Sequence, residues 1–193
     1  MNTLGKSLRL SLFGASHDSC VGGILDGLPV GYAVNEDDII SDLSLRKPAA
    51  GIGTSRHEDD IPAITGISEG CTTGSPVVIT FANTDVKSGD YDAEVRIPRP
   101  GHADYPAFCK YGTSFDARGG GMFSGRMTAP LVAVGGLLRG LLLAASGIRV
   151  GSYLTQVGKI QDRGCYTPDE IFRVSRTNPL RAMSAELEMQ MRA

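Results

Sequence analysis

Leu8-Arg9-Leu10-Ser11-Leu12-Phe13-Gly14-Ala15-Ser16-His17 sets leucine at alternate positions, with Arg9 and Ser11 between, and breaks at Phe13-Gly14. A period of two marks a strand with one buried face, and the glycine turns the chain, so His17 follows directly from a strand end. Downstream, Val21 to Leu28, with Gly22, Gly23 and Gly27, reads as a second strand whose glycines permit close backbone approach. Val77-Val78-Ile79-Thr80-Phe81, entered by Gly74-Ser75-Pro76, is a β-branched run and reads as a buried strand. The polar stretch from Asn83 to Tyr91 reads as surface loop.

Helices are marked by their ends. Asn35-Glu36-Asp37-Asp38 supplies an N-cap and an acidic first turn for a helix whose expected apolar face is Ile39, Ile40 and Leu43. Arg46-Lys47-Pro48 stops it. From Pro48 to Arg56 the composition shifts to Ala, Gly, Ser and Thr, giving a loop with Arg46 and Arg56 at its ends that can close on an anion. Ala129 to Ser146, ended by Gly147, predicts one long helix. Its apolar run reaches Ile148, but Arg139 at the centre would cost roughly 2.5–3.5 kcal/mol in a bilayer, so it reads as a core helix. Thr167-Pro168-Asp169-Glu170 has the form of a capping box with proline at the first helical position. Ala185 to Ala193 holds strong helix formers and no Gly or Pro, so it reads as a helix that is either cut or frays naturally.

The chain has 193 residues, and 1–193 is expected to form a single domain. A net charge of −2, with no Lys or Arg cluster longer than a pair, lacks the electrostatic footprint of a nucleic-acid binder. Cys20, Cys71, Cys109 and Cys165 are widely spaced, with no Cys-x-x-Cys and no histidine at ligand spacing, so no metal site is expected. They read as buried thiols in a reducing compartment. Lys6 and Arg9 interrupt the N-terminal apolar pattern, which is unlike a signal peptide, and cytoplasmic location is the expectation.

Of three histidines, two sit in settings fit for chemistry. His102 lies in Arg99-Pro100-Gly101-His102-Ala103-Asp104-Tyr105, between an obligate cation and a carboxylate, and His17 lies in Gly14-Ala15-Ser16-His17-Asp18. Imidazoles on turns can move protons near neutral pH. The third element is Arg118-Gly119-Gly120-Gly121-Met122-Phe123-Ser124-Gly125-Arg126, directly before the long helix. Free N–H groups of glycine and of a helix start attract anions, and two arginines flank this one. It is neither a Walker loop, lacking Gly-Lys-Ser/Thr, nor a dinucleotide fingerprint, since Ser124 replaces the third glycine and no strand precedes it. Ordinary alternatives stand beside each reading: a solvated imidazole, a generic glycine turn, surface arginines. A serine-hydrolase use of Ser16 fails because Gly-x-Ser-x-Gly breaks at Asp18. A phosphate-ester hydrolase using the same Arg and His groups stays open.

Several segments occur together in the order seen in chorismate synthases: Phe13-Gly14-Ala15-Ser16-His17, Asp42-Leu43 through Arg46-Lys47-Pro48, and Gly70-Cys71-Thr72-Thr73-Gly74-Ser75-Pro76. Asn83-Thr84-Asp85, Arg99 through Tyr105, Lys110-Tyr111-Gly112 and Arg118-Gly119-Gly120-Gly121 continue the order. The chain thus resembles that family over nearly its whole length. The resemblance implies an α+β fold with a β-α-β sandwich core, here its N-terminal portion and incomplete. It implies a lyase that converts 5-enolpyruvylshikimate 3-phosphate to chorismate and phosphate by 1,4-anti elimination with reduced FMN. On it, His17 and His102 are the catalytic residues, and Arg46, Arg56, Arg126 and Ser16 bind substrate. Arg118, Gly120, Gly121 and Ser124 bind the cofactor. A homotetramer, a possible separate flavin reductase, and no nucleic-acid or membrane partner are further implications.

The chain departs from the family pattern at Ala15, where glutamate is usual, and at Leu45, where arginine is usual. It departs again at Met122-Phe123-Ser124-Gly125-Arg126-Met127-Thr128, which stands for Arg-Ser-Ser-Ala-Arg-Glu-Thr. Family members are also much longer. That favours a truncated last helix and leaves a non-catalytic remnant binding substrate or flavin as the alternative.

Overall fold

In the computed structural model, which describes residues 2–47, 62–84 and 97–193, the opening alternation is a strand at the heart of a sheet. In chain order the elements are β1 (Thr3–Leu4), β2 (Arg9–Gly14), β3 (Cys20–Asp26), α1 (Glu36–Arg46), β4 (Ala63–Thr65), β5 (Ile67–Ser68), β6 (Cys71–Thr72) and β7 (Val77–Ala82). Then follow α2 (Asp104–Tyr111), α3 (Thr128–Ser146), β8 (Gln156–Val157), β9 (Ile160–Gln161), α4 (Pro168–Val174) and α5 (Ala185–Arg192). They fall into two compact units: the described parts of 1–43 and 56–141, and those of 44–55 and 142–193.

The first unit is built on a five-stranded antiparallel sheet ordered β1-β2-β3-β7-β4, with β5 and β6 as a separate hairpin. Register puts Leu10 opposite Leu25, Leu25 opposite Val77, and Val21 opposite Phe81, so one face collects a continuous apolar layer. Phe13 pairs with Gly22, where an added Cβ would lie 2.3 Å from the Phe13 ring; the glycine permits the close approach read from the sequence. Ile39 and Leu43 of α1, with Ala129, Ala133, Val134 and Leu137 of α3, close over Val21, Leu25, Val77, Ile79 and Phe81. Each Val, Leu, Ile or Phe side chain among these, fully withdrawn from water, contributes roughly 1.5–3 kcal/mol. A sheet with helices over one face is the expected α+β architecture.

The two helices touch at backbone distance, since a Cβ on Gly136 would stand 3.1 Å from the Ile39 Cα. Arg139 Nε donates to Asp42 Oδ2 at 3.0 Å and its Nη2 to Asp38 Oδ1 at 3.1 Å, so α1 supplies two carboxylates one turn apart for the charge at the centre of α3. Among the described residues, this is the one helical run long and apolar enough to cross a membrane by length and composition. Its packed face and paired arginine fit the core-helix reading.

Several expectations are met in detail. Asn35 Oδ1 accepts from the Asp37 N–H, as an N-cap does, and Gly147 ends α3 at φ +70°. Others are corrected. Ile40 is exposed, because its position on α1 turns it away from the face carrying Ile39 and Leu43. The cysteines are free but not all buried: Cys20 and Cys71 are half-buried, Cys109 lies on the open side of α2, and Cys165 is exposed in the loop before α4. The Pro48–Arg56 loop and 85–91 of the Asn83–Tyr91 loop lie outside the described residues.

In the second unit β8 and β9 form a hairpin, and Thr167 and Glu170 close the capping box on α4. Arg149 stacks on the Phe172 ring, 3.8 Å from its centroid, and pairs with Asp169 at 2.9 Å. Ser184 caps α5 by accepting from the Leu187 N–H.

Candidate active site

The antiparallel pairing of β2 and β3 forces a tight turn over residues 15–19, and that turn carries His17. The turn is tied down from both sides. Ser16 is buried; its N–H donates to Gly121 O at 3.2 Å and its Oγ to Arg118 O at 3.0 Å. From β7, Asn83 Nδ2 donates to Ala15 O at 3.1 Å and Asp18 O at 2.8 Å. Asn83 Oδ1 in turn accepts from Arg126 Nε at 2.9 Å, and Arg126 Nη2 donates to Ala82 O at 2.9 Å. Arg126 is 6% exposed and lies over the Phe81 ring at 5.8 Å, so its charge is lodged at the end of β7, behind the histidine turn.

The glycine segment is a loop of positive-φ residues placed before the start of α3. Gly119, Gly120 and Gly121 have φ of +55°, +88° and +54°, values that L side chains adopt only at a cost. The absence of side chains is also required by space. A Cβ on Gly119 would stand 2.7 Å from Ser16 Oγ and 2.8 Å from His17 Nε2, and one on Gly120 would stand 2.8 Å from His102 Nε2. Both predicted imidazoles therefore present Nε2 to adjacent residues of one glycine loop.

His102 comes from the turn before α2. Asp104, the first residue of that helix, is buried and accepts from His102 Nδ1 at 2.6 Å. It also accepts from Arg99 Nε at 2.7 Å, Nη2 at 2.9 Å and the Arg99 N–H at 3.1 Å. Hydrogen bonding from Arg99 outweighs burial and, with that from His102, holds the Asp104 carboxyl far below the usual carboxylate range. Arg118 is engaged similarly by Asp116, at 2.7 Å through Nη2, and this hydrogen bond lowers the Asp116 carboxyl and raises the guanidinium.

His17, His102, Ser16, Arg118, Gly120, Gly121, Ser124 and Arg126 thus all lie in the first unit, around or just behind the loop. Ser124 caps the turn that follows, its Oγ accepting from the Arg126 N–H. Arg46 belongs to the second unit, and Arg56 lies outside the described residues. The sequence marks Asp104 as the carboxylate flanking His102, but does not mark Asn83 or Asp116 as partners. Only Asp104 carried a local signal, an acidic residue two positions from His102 and just before Pro106, where a helix begins.

Beside the His17 turn lies a cavity of about 470 Å³ walled by Phe13, Tyr111, Phe115 and Met122, with Ser114 and Asp18 at polar positions. Its aromatic and apolar wall, with the carboxylates of Asp18 and Asp116 beside it, has room for a planar aromatic ring. Among the described residues no cluster of His, Cys, Asp and Glu could hold a metal ion.

Comparison with known proteins identifies the family and the fold. The family model described as chorismate synthase matches residues 8–193. Chorismate synthases of Ralstonia nicotianae and Aeropyrum pernix are 43% and 40% identical, over 83% and 99% of this chain. These matches cover 44% and 50% of the two relatives, so the chain spans about half the length of the curated relatives it matches. A crystal structure titled as a chorismate synthase superposes over 96% of this chain and 51% of its own, with a TM-score of 0.71 at 23% identity, which shows a shared fold.

Proposed function

The chain belongs to the chorismate synthase family, and from that premise we propose that it acts in the 1,4-anti elimination that turns 5-enolpyruvylshikimate 3-phosphate into chorismate and phosphate in the presence of reduced FMN. The observation that carries the proposal is the meeting of His17 and His102 on one glycine loop. Elimination requires a proton for the phosphate that leaves the allylic carbon, and a group that holds the proton balance on the opposite side. His102, through Nε2, protonates the leaving phosphate oxygen; His17, on the neighbouring glycine, keeps a proton beside the flavin.

The substrate carries one phosphate and two carboxylates, so cations must converge on it. Arg46, Arg56 and Arg126, with Ser16, are the residues assigned to it. Arg118, Gly120, Gly121 and Ser124 are assigned to the flavin side, where Arg118 exchanges the Asp116 carboxylate for a phosphate. Reduced FMN, which Arg118, Gly120, Gly121 and Ser124 would hold, would supply electron density for the breaking C–O bond and an acceptor for the ring proton, with no net redox change. We infer a cytoplasmic homotetramer as the working state, with a separate flavin reductase as one possible source of the reduced cofactor and no nucleic-acid or membrane partner.

The test is an anaerobic assay of the chain with 5-enolpyruvylshikimate 3-phosphate and chemically reduced FMN, following chorismate and phosphate together against oxidised flavin. Equal formation of both products with reduced FMN alone is expected. Ligand-induced stabilisation with no product would instead identify a non-catalytic binding role, and phosphate release without flavin a hydrolase.

A further inference from the structure

We propose that Asp104, clamped by Arg99, is the positioning residue of His102: it fixes the neutral imidazole with its proton on Nδ1, so that Nε2 is the nitrogen that exchanges a proton at the glycine loop. The catalytic part of this inference rests on the proposed elimination; the ring geometry does not.

The argument is one of donors and acceptors. Arg99 cannot lose its charge and brings three N–H groups to one carboxylate: Nε and the backbone N–H to Oδ2, and Nη2 to Oδ1. A carboxylate so surrounded carries no proton of its own. The 2.6 Å contact between Asp104 Oδ1 and His102 Nδ1 therefore requires the hydrogen to sit on Nδ1. Arg99 Nη2 lies 3.3 Å from the same nitrogen, but two donors cannot bond each other, so that contact is only a neighbour. Nε2 is left as the lone-pair nitrogen of the neutral ring or the acidic N–H of the imidazolium. It faces Gly120, which contributes no charge, while among the described residues Arg99 and Asp104 are the charged groups in contact with the ring.

The step balances. The imidazolium gives its Nε2 proton to the phosphate oxygen as the C–O bond breaks, the ring becomes neutral with Nδ1–H still donated to Asp104, and Asp104 stays ionised. Solvent returns the proton to Nε2 afterwards. A ring with the other tautomer would turn a proton toward Asp104 only after rearranging.

Asp104→Asn separates this role from a structural one. Two Arg99 donors at the Oδ2 position retain the amide oxygen there and turn the NH2 toward Nδ1, which must then accept, placing the ring proton on Nε2. The measurement is the pair of ring ¹⁵N shifts of neutral His102, assigned by their loss in His102→Gln. We expect a protonated Nδ1 in the unsubstituted protein and in Asp104→Glu, and a reversed pattern in Asp104→Asn. A protonated Nε2 in the unsubstituted protein, an observation that does not depend on Asp104→Asn folding, would overturn the proposal, as would an unchanged pattern in folded Asp104→Asn. In the elimination assay, Asp104→Asn should lower kcat by about 10²- to 10⁴-fold with KM within a few-fold, and Asp104→Glu should recover part of it. A loss confined to KM would overturn the positioning role. An unsubstituted protein without turnover would instead remove the proposed elimination, with the ring shifts still deciding the tautomer.

Discussion

At the scale of single residues the chemistry depends on side chains that are missing as much as on those present. Gly120 combines φ +88° with a Cβ position 2.8 Å from His102. Gly120→Ala should cost about 1–2 kcal/mol from the backbone alone and displace the imidazole as well, seen as a lower Tm and a shifted His102 ring resonance. His102→Ala should reduce turnover by about 10²- to 10⁴-fold and leave substrate affinity nearly unchanged, as equilibrium binding would report. Asn83→Asp keeps the acceptor for Arg126 but removes both hydrogen bonds donated to Ala15 and Asp18, so denaturant unfolding should register a loss of about 1–3 kcal/mol. The histidines were legible in the sequence because Gly and Pro around them announced turns. Asn83 was not, because its partners lie 68 and 65 positions away and its own neighbours are merely polar.

At the scale of elements, periodicity and caps were sufficient where an element buries a face. β2, β3, β7, α1 and α3 announce themselves by alternation, β-branched runs, an N-cap and a terminal glycine. The element that brings Asp104 to His102 gave no such pattern: α2 buries only Asp104 and Ala107, and an eight-residue helix with an exposed aromatic surface has no apolar stripe to read. β4, with three residues at the sheet edge, is too short for alternation to register. The core layer sets the energetic scale here. Ile79 is fully buried between the sheet and its helices, so Ile79→Ala should lower unfolding free energy by about 2–5 kcal/mol, measured by chemical denaturation.

At the scale of the whole molecule, acid sensitivity follows from the clamp. The folded Asp104 carboxyl titrates below its unfolded value near 3.8, so its contribution to stability is complete above that value and withdraws as pH falls beneath it. The Tm difference between the protein and Asp104→Asn should accordingly narrow as pH falls below about 4. The sequence could suggest which groups titrate, but not this clamp, because the three-way contact exists only once the turn is closed. Closure also has an order in time. β2 and β3 meet across a seven-residue separation, from Gly14 to Val21, whereas the tie from Ser16 to Arg118 spans 102 positions, about four doublings of loop length and roughly 2 kcal/mol of additional chain entropy. The β2–β3 hairpin can therefore form while the glycine loop is still unattached; competence for proton transfer, like the pairing of β3 with β7 from Cys20 to Ala82, is gained only when distant segments of the chain meet.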